Sequence, residues 1–190
     1  MTPLVILAGG LSRRMGRDKT KLPYKGGSFV SNACEKFAPC FAPVLISVRE
    51  KGKFNIPGIR ELADVYTGCG PMAGLHAALS AGCWEVFLMA ADLPMASPAL
   101  ALRICELGEG YDACVLVSES GSPEPLFAWY SHEALHPAEE LLSSGEYKMM
   151  KLLERLNVRY VNQFELPEYK LSSVLTNINT PEDYRNLIVE

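Results

Sequence analysis

Apolar residues run without interruption from Leu4 to Ala8 and stop at Gly9-Gly10, the pattern of a short strand covered on both faces. Val30, Ala33, Cys34, Phe37 and Ala38 then recur at helical spacing, one apolar stripe on an otherwise polar segment. Pro39 and Pro43 punctuate that helix, and Val44 to Val48 reads as a second strand. Gly70-Pro71 opens a helix over Met72 to Ala81. Val86 to Ala91, apolar throughout and flanked by Glu85 and Asp92, is the strongest candidate for a central strand. Ser97-Pro98 has the chemistry of an N-cap followed by proline in the first turn, which predicts a helix to about Leu107.

The C-terminal half continues the alternation less regularly. Strands are predicted over Ala113 to Val117, Leu126 to Tyr130 and Val158 to Val161. Helices are predicted through Ala134, Ala138, Leu141 and Leu142, through Met149, Leu152, Leu153 and Leu156, and from Thr180-Pro181-Glu182-Asp183. Strands alternating with amphipathic helices imply βαβ units, so the expected fold is α/β: three layers, α/β/α and Rossmann-like, around a mainly parallel mixed sheet. No internal repeat or long linker divides residues 1–190, which reads as a single domain. In such a sheet ligands bind beyond the carboxyl ends of the strands, so the loops after Ala8, Val48 and Ala91 carry the chemistry.

Composition narrows the class. The chain has 190 residues, 48% of them apolar and 21% charged, the balance of a globular protein rather than a disordered one. Its longest central apolar run falls far short of the roughly 20 residues that span a bilayer, and the first residues lack a basic segment with a cleavable apolar core. No membrane and a cytoplasmic location are therefore expected. The net charge of −4 leaves no footprint for a nucleic-acid duplex. Between Gly9 and Gly27, however, Arg13, Arg14, Arg17, Lys19, Lys21 and Lys25 face a single acid, Asp18. A short basic loop on an acidic body suits a small polyanion. Six cysteines, with no Cys-x-x-Cys pair, and three histidines show no zinc-ligand spacing, so the thiols are expected mostly as small core residues of a reduced protein.

The first strand-end loop reads LAGGLSRRMGRDKTKL from Leu7 to Leu22. Gly9 and Gly10 let backbone N–H groups approach phosphate oxygens, while Arg14 and Lys19 can neutralise them. The loop is not a Walker A motif, because Gly10 and Gly16 enclose five residues and Lys19 follows Asp18; nor does Gly-x-Gly-x-x-Gly occur. Asp92 stands at the end of the central run, where it could hold a phosphate-bound Mg²⁺ or simply organise the turn before Pro94. The small residues of Gly70-Pro71-Met72-Ala73-Gly74 fit close approach to a ligand or close packing on the sheet equally well. Asn177-Ile178-Asn179-Thr180-Pro181 fits a helix cap, and His76, His132 and His136 have no catalytic spacing.

Together LAGGLSRRMGRDK, GPMAG at 70–74, AADLP at 90–94 and NINTPED at 177–183 resemble the MobA-type nucleotidyltransferases, the molybdenum cofactor guanylyltransferases. The resemblance covers most of the chain and implies a nucleotide-diphospho-sugar transferase-like fold. It also implies Mg²⁺-dependent transfer of GMP from GTP to molybdopterin, with release of pyrophosphate. Carried onto this sequence, Leu7, Ala8, Gly9, Gly10, Lys19, Asp64, Gly70, Pro71, Gly74 and Asp92 would bind nucleotide. Arg14, Lys19 and Asp92 would carry catalysis, with Asp92 the metal ligand, and Lys148, Asn177 and Asn179 would lie on the pterin side. Transient contacts with molybdenum cofactor biosynthesis proteins or molybdoenzymes follow as an expectation. Where family members often carry an asparagine-containing stretch after the second strand, this chain reads Ser47-Val48-Arg49-Glu50; and Ser122-Pro123-Glu124-Pro125 lacks the basic character often seen there. The alternatives are a cytidylyltransferase acting on the same pterin, in which LAAG generally replaces LAGG, another small-molecule nucleotidyltransferase, and a non-catalytic nucleotide-binding regulator.

Overall fold

The computed structural model describes residues 1–8, 22–178 and 180–189. Its centre is β1 (Leu4–Leu7), whose neighbours on either side are β4 (Val44–Val48) and β6 (Glu85–Ala90), both parallel to it. Beyond β4 lies β5 (Arg60–Ala63); beyond β6 come β8 (Pro123–Ser131), β7 (Ala113–Val117) and β9 (Val158–Val161). The seven strands take the order β5-β4-β1-β6-β8-β7-β9, and β8 alone runs antiparallel to its neighbours. A mainly parallel mixed sheet was the expectation, and the structure has one.

The period-two geometry of a strand sends alternate side chains of β1 to opposite faces. Leu4, Ile6 and Ala8 join one core, filled from outside by Val30, Cys34 and Phe37 of α1 (Phe29–Phe37) and by Leu100, Ala101 and Ile104 of α3 (Pro98–Leu107). Val5 joins the other, with Met72, Leu75 and Leu79 of α2 (Pro71–Ser80), Leu141 and Leu142 of α4 (Leu135–Ser143), and Leu152 and Leu153 of α5 (Met149–Leu153). A run apolar at every position is required because both faces are covered. The result is the α/β/α sandwich.

The helix starts follow the local chemistry. The Ser97 hydroxyl accepts the Leu100 N–H at 3.3 Å, with Pro98 in the first turn. Thr180 Oγ1 accepts the Asp183 N–H while Asp183 Oδ2 accepts the Thr180 N–H, a reciprocal cap opening α7 (Pro181–Val189). All six cysteines are free thiols lying in or against one of the two cores. Burial pushes Cys34 up to about 11 and both Cys105 and Cys114 up to about 12, so these three are inert protonated thiols at neutral pH.

Several elements differ from expectation. β5 carries no strand pattern in the sequence, because an edge strand of sequence Arg-Glu-Leu-Ala buries only Leu62. A hairpin of β2 (Pro23–Tyr24) and β3 (Gly27–Ser28) precedes α1; its two-residue turn, Lys25 and Gly26, has φ of 45° and 82°, the twist that suits tight hairpins. β8 begins at Pro123 rather than Leu126, continuing past an irregularity in its pairing with β7. α5 ends at Leu153, three residues before Leu156, and a short α6 (Leu171–Val174) follows β9. Tyr24, Phe29 and Ile178 form a third apolar group with Leu22, Tyr184 and Leu187, tying hairpin, α1 and α7 together.

Candidate active site at the carboxyl edge of the sheet

The carboxyl ends of β1, β4, β5 and β6 emerge side by side, and those expected residues that are described lie along or beside this edge. Ala8, fully buried, donates its N–H to the Ser47 carbonyl at 3.1 Å, and Ala91 donates to the Leu7 carbonyl at 3.2 Å. Leu7 and Ala8 are thus clamped between both neighbouring strands just before the diglycine. Gly9, Gly10, Arg14, Lys19 and Asn179 lie outside the described residues.

Asp64 follows β5 directly. Its N–H donates to the Val48 carbonyl at 3.0 Å, and its carboxylate accepts the Ser47 hydroxyl at 2.9 Å. Burial pushes this carboxyl above the usual aspartate range; the Ser47 hydrogen bond and the Arg49 charge pull the other way without cancelling it. The result is a partly buried, oriented acceptor that takes up a proton more readily than a surface aspartate.

α2 starts beside it. Gly70 has φ 72°, a left-handed conformation that favours glycine, and Pro71 occupies the first helical position. A Cβ on Gly74 would stand 2.5 Å from both Leu7 Cδ2 and Ser47 Oγ. Close packing of α2 on the sheet accounts for this glycine, one of the two readings its sequence left open.

Asp92 lies two residues past the end of β6, partly buried, and its carbonyl accepts the Ile178 N–H at 3.1 Å. That bond brings exposed Asn177 to the same edge. Lys148 is exposed at the start of α5, beside Tyr147, whose phenol is pushed up by the neighbouring Cys69 thiol, so it flanks the loop leading into α2. Among the described residues no group of three His, Cys, Asp or Glu side chains could hold a metal. Asp92 fits instead a hard cation that needs one carboxylate and completes its shell with phosphate oxygens and water.

Two residues near this edge carry no sequence signal. Lys53, in the loop between β4 and β5, donates from Nζ to the Ala8 carbonyl at 3.0 Å. That loop is organised by Glu61, whose carboxylate accepts the backbone N–H groups of Gly52, Lys53, Phe54 and Asn55 at 2.6 to 3.4 Å. Burial alone would raise the Glu61 carboxyl, but these four bonds outweigh it and hold the group below the usual glutamate range. His76 is buried in α2 against Tyr66, and burial lowers its proton affinity despite Glu139.

Known proteins share the family and the fold. Residues 4–160 fit the model of the MobA-like NTP transferase domain. A relative from Pelotomaculum thermopropionicum, named probable molybdenum cofactor guanylyltransferase, is 35% identical over 94% of this chain and 88% of its own. The crystal structure of molybdopterin-guanine dinucleotide biosynthesis protein A from Archaeoglobus fulgidus superposes with a TM-score of 0.85 at 28% identity, covering 98% of this chain and 96% of that one. A Mycobacterium tuberculosis protein, crystallised as a complex with manganese, shares the fold at a TM-score of 0.68 and 20% identity, covering 100% of this chain and 98% of that one. The chain is a nucleotidyltransferase belonging to the MobA-like NTP transferase family.

Proposed function

We propose that the protein transfers GMP from GTP to the terminal phosphate of molybdopterin, forming the molybdopterin guanine dinucleotide and pyrophosphate. The observation that carries this reading is the placing of two carboxylates, Asp64 and Asp92, on strand ends that flank the exit of β1 into the diglycine and its basic loop. One acid is poised for a base and the other for a phosphate-bound cation. The names of the relatives supply the same nucleotide and acceptor.

In the proposed step an oxygen of the acceptor phosphate attacks the α-phosphorus of GTP in line. The new P–O bond forms as the bond to the β-phosphate breaks, and pyrophosphate leaves with the electron pair. A phosphate monoester with its second pKa near ~6 is already ionised at neutral pH, so no strong general base is needed. The protein therefore contributes position and charge compensation. Backbone N–H groups at Gly9 and Gly10, with Leu7 and Ala8, would line the nucleotide, and Gly70, Pro71 and Gly74 would set the α2 wall beside it. Asp64 would accept from guanine N1–H and the 2-amino group. Arg14 and Lys19 would offset the charge gathering on pyrophosphate, while Lys148, Asn177 and Asn179 would face the pterin. Asp92 would hold a magnesium ion, which when bound would supply charge compensation between the two phosphate groups. A cytoplasmic protein that acts on small molecules and meets its biosynthetic partners transiently suits this reading; among the described residues no helix is long and apolar enough to cross a membrane.

The deciding experiment is a pyrophosphate-release assay with molybdopterin, Mg²⁺ and GTP, CTP or ATP. Release with GTP alone is expected. Preference for CTP would reassign the protein as a cytidylyltransferase, and no release with any nucleotide would leave a binding protein. Asp64 gives a second, pH-resolved prediction. Since the carboxylate form must accept from guanine, GTP affinity should fall on acidification through a pKa above the usual aspartate value. Asp64→Asn should weaken GTP binding about 10- to 100-fold at neutral pH and abolish that acid limb, as calorimetric titration between pH 4.5 and 7.5 would show.

A further inference from the structure

The Lys53 ammonium and the loop that bears it are both anchored. Its Nζ donates to the Ala8 carbonyl and sits 5.0 Å from the centre of the Phe54 ring, a cation–π distance. The backbone that bears it is clasped by Glu61, and Phe54, Ile56 and Ile59 of the same loop pack against the core beneath α1. This degree of anchoring is unusual for a lysine in an irregular loop, because ordering a long side chain costs rotamer entropy. It also places a cation at the end of β1 on the side facing β4.

Hydrogen bonds link that cation to Asp64 across three strand ends. Lys53 donates to the Ala8 carbonyl, the Ala8 N–H donates to the Ser47 carbonyl, and the Ser47 hydroxyl donates to Asp64. A positive donor and a carboxylate acceptor are therefore held in fixed relation at the edge of β1, β4 and β5, with Asp92 beyond β1 on β6. Guanine presents O6, an acceptor, beside N1–H and the 2-amino group, both donors. Adenine and cytosine each carry an exocyclic amine donor in place of that oxygen.

We infer that Lys53 is a specificity-determining residue, donating to guanine O6 while Asp64 accepts from the neighbouring N–H groups. This rests on the proposed reading of the edge as a GTP site. It assigns a contact to the loop between β4 and β5. A donor facing O6 favours guanine, and the same ammonium facing an amine of adenine or cytosine meets another donor and repels it. Glu61, which never reaches the base, is a positioning residue for Lys53.

The test is calorimetric titration of the full chain, in Mg²⁺, with GTP and with the 5′-triphosphate of 2-aminopurine riboside, which keeps the 2-amino group and lacks both O6 and N1–H, so each substitution at residue 53 is compared with the parent within one nucleotide. Lys53→Met should weaken GTP binding about 10- to 100-fold, the loss typical of one hydrogen bond to a charged group, and change binding of the 2-aminopurine nucleotide less than about threefold. Lys53→Arg, which retains a cationic donor, should keep the preference for GTP and guards against misfolding of the methionine variant. Equal weakening of both nucleotides in Lys53→Met, unchanged GTP binding, or loss of the preference in folded Lys53→Arg each overturns the assignment while GTP binding by the unaltered protein stands. Failure of the unaltered protein to bind GTP overturns the underlying reading instead.

Discussion

Asp92→Asn is expected to lower Mg²⁺-dependent pyrophosphate release by about 10³-fold or more while leaving the protein folded, the scale of losing metal charge stabilisation in a transition state. The substitution is nearly isosteric, and the backbone carbonyl of residue 92, which accepts the Ile178 N–H, is untouched by it. Leu93 and Ala96 on the same loop stay buried in the core, so the turn keeps its anchorage. What changes is the formal charge on one oxygen donor. An amide oxygen is a far weaker ligand for a hard cation than a carboxylate, and among the described residues no three-membered cluster stands ready to replace it. The matching measurement is pyrophosphate release over a range of Mg²⁺ concentrations, with a thermal melt as control. Full activity in a variant that melts like the parent would remove Asp92 from the metal site and with it half of the geometric case for nucleotidyl transfer.

The parts of this molecule that sequence reveals are those in which burial is written into residue type. Leu4 to Ala8 and Val86 to Ala91 must be apolar throughout because helices cover both faces of β1 and β6, and both strands are where the pattern places them. Acids at the ends of such runs stand out by contrast, which makes Asp92 legible from position, while Asp64 came from the family resemblance. β5 is hidden for the opposite reason: at the sheet edge it buries Leu62 and leaves Arg60 exposed, so its four residues pass for a loop. Lys53 and Glu61 are harder still. The Glu61 clasp uses backbone N–H groups, which carry no residue identity, and one partner of Lys53 is a backbone carbonyl forty-five positions away. A lysine and a glutamate in a polar stretch look like solvated charges until the fold closes around them. Gly74 sits between these extremes, since its sequence marks a close approach without saying to what, and the geometry answers with Leu7 and Ser47.

That close approach makes Gly74→Val the most damaging single change expected for the scaffold of the site. A bare Cβ there would meet Leu7 Cδ2 and Ser47 Oγ at 2.5 Å and Ser47 Cβ at 3.0 Å, distances at which something must move. The Leu7 methyl can swing aside, but Ser47 is buried in β4 and α2 is buried along most of its length, so relief requires lifting the helix from the sheet. Overpacking of this kind costs about 1–3 kcal/mol, and the two further methyls of valine on a stiff χ1 push it to the upper end or beyond. Gly74→Ala should be milder, because it adds only the first carbon and recovers about 1 kcal/mol of helix propensity. The second consequence is local. Ser47 Oγ is the group that orients Asp64, so the atom displaced by the new side chain is the one that aims the proposed guanine acceptor. GTP affinity should therefore fall in the order parent, alanine, valine, and by more than the lost stability alone explains for the alanine variant, which stays folded at 25 °C. Urea denaturation paired with GTP titration of all three proteins separates the effects. A valine variant with parental stability would mean that α2 does not bear on β1 and β4 as described, and an alanine variant that is destabilised yet binds GTP like the parent would break the link from Ser47 to the base.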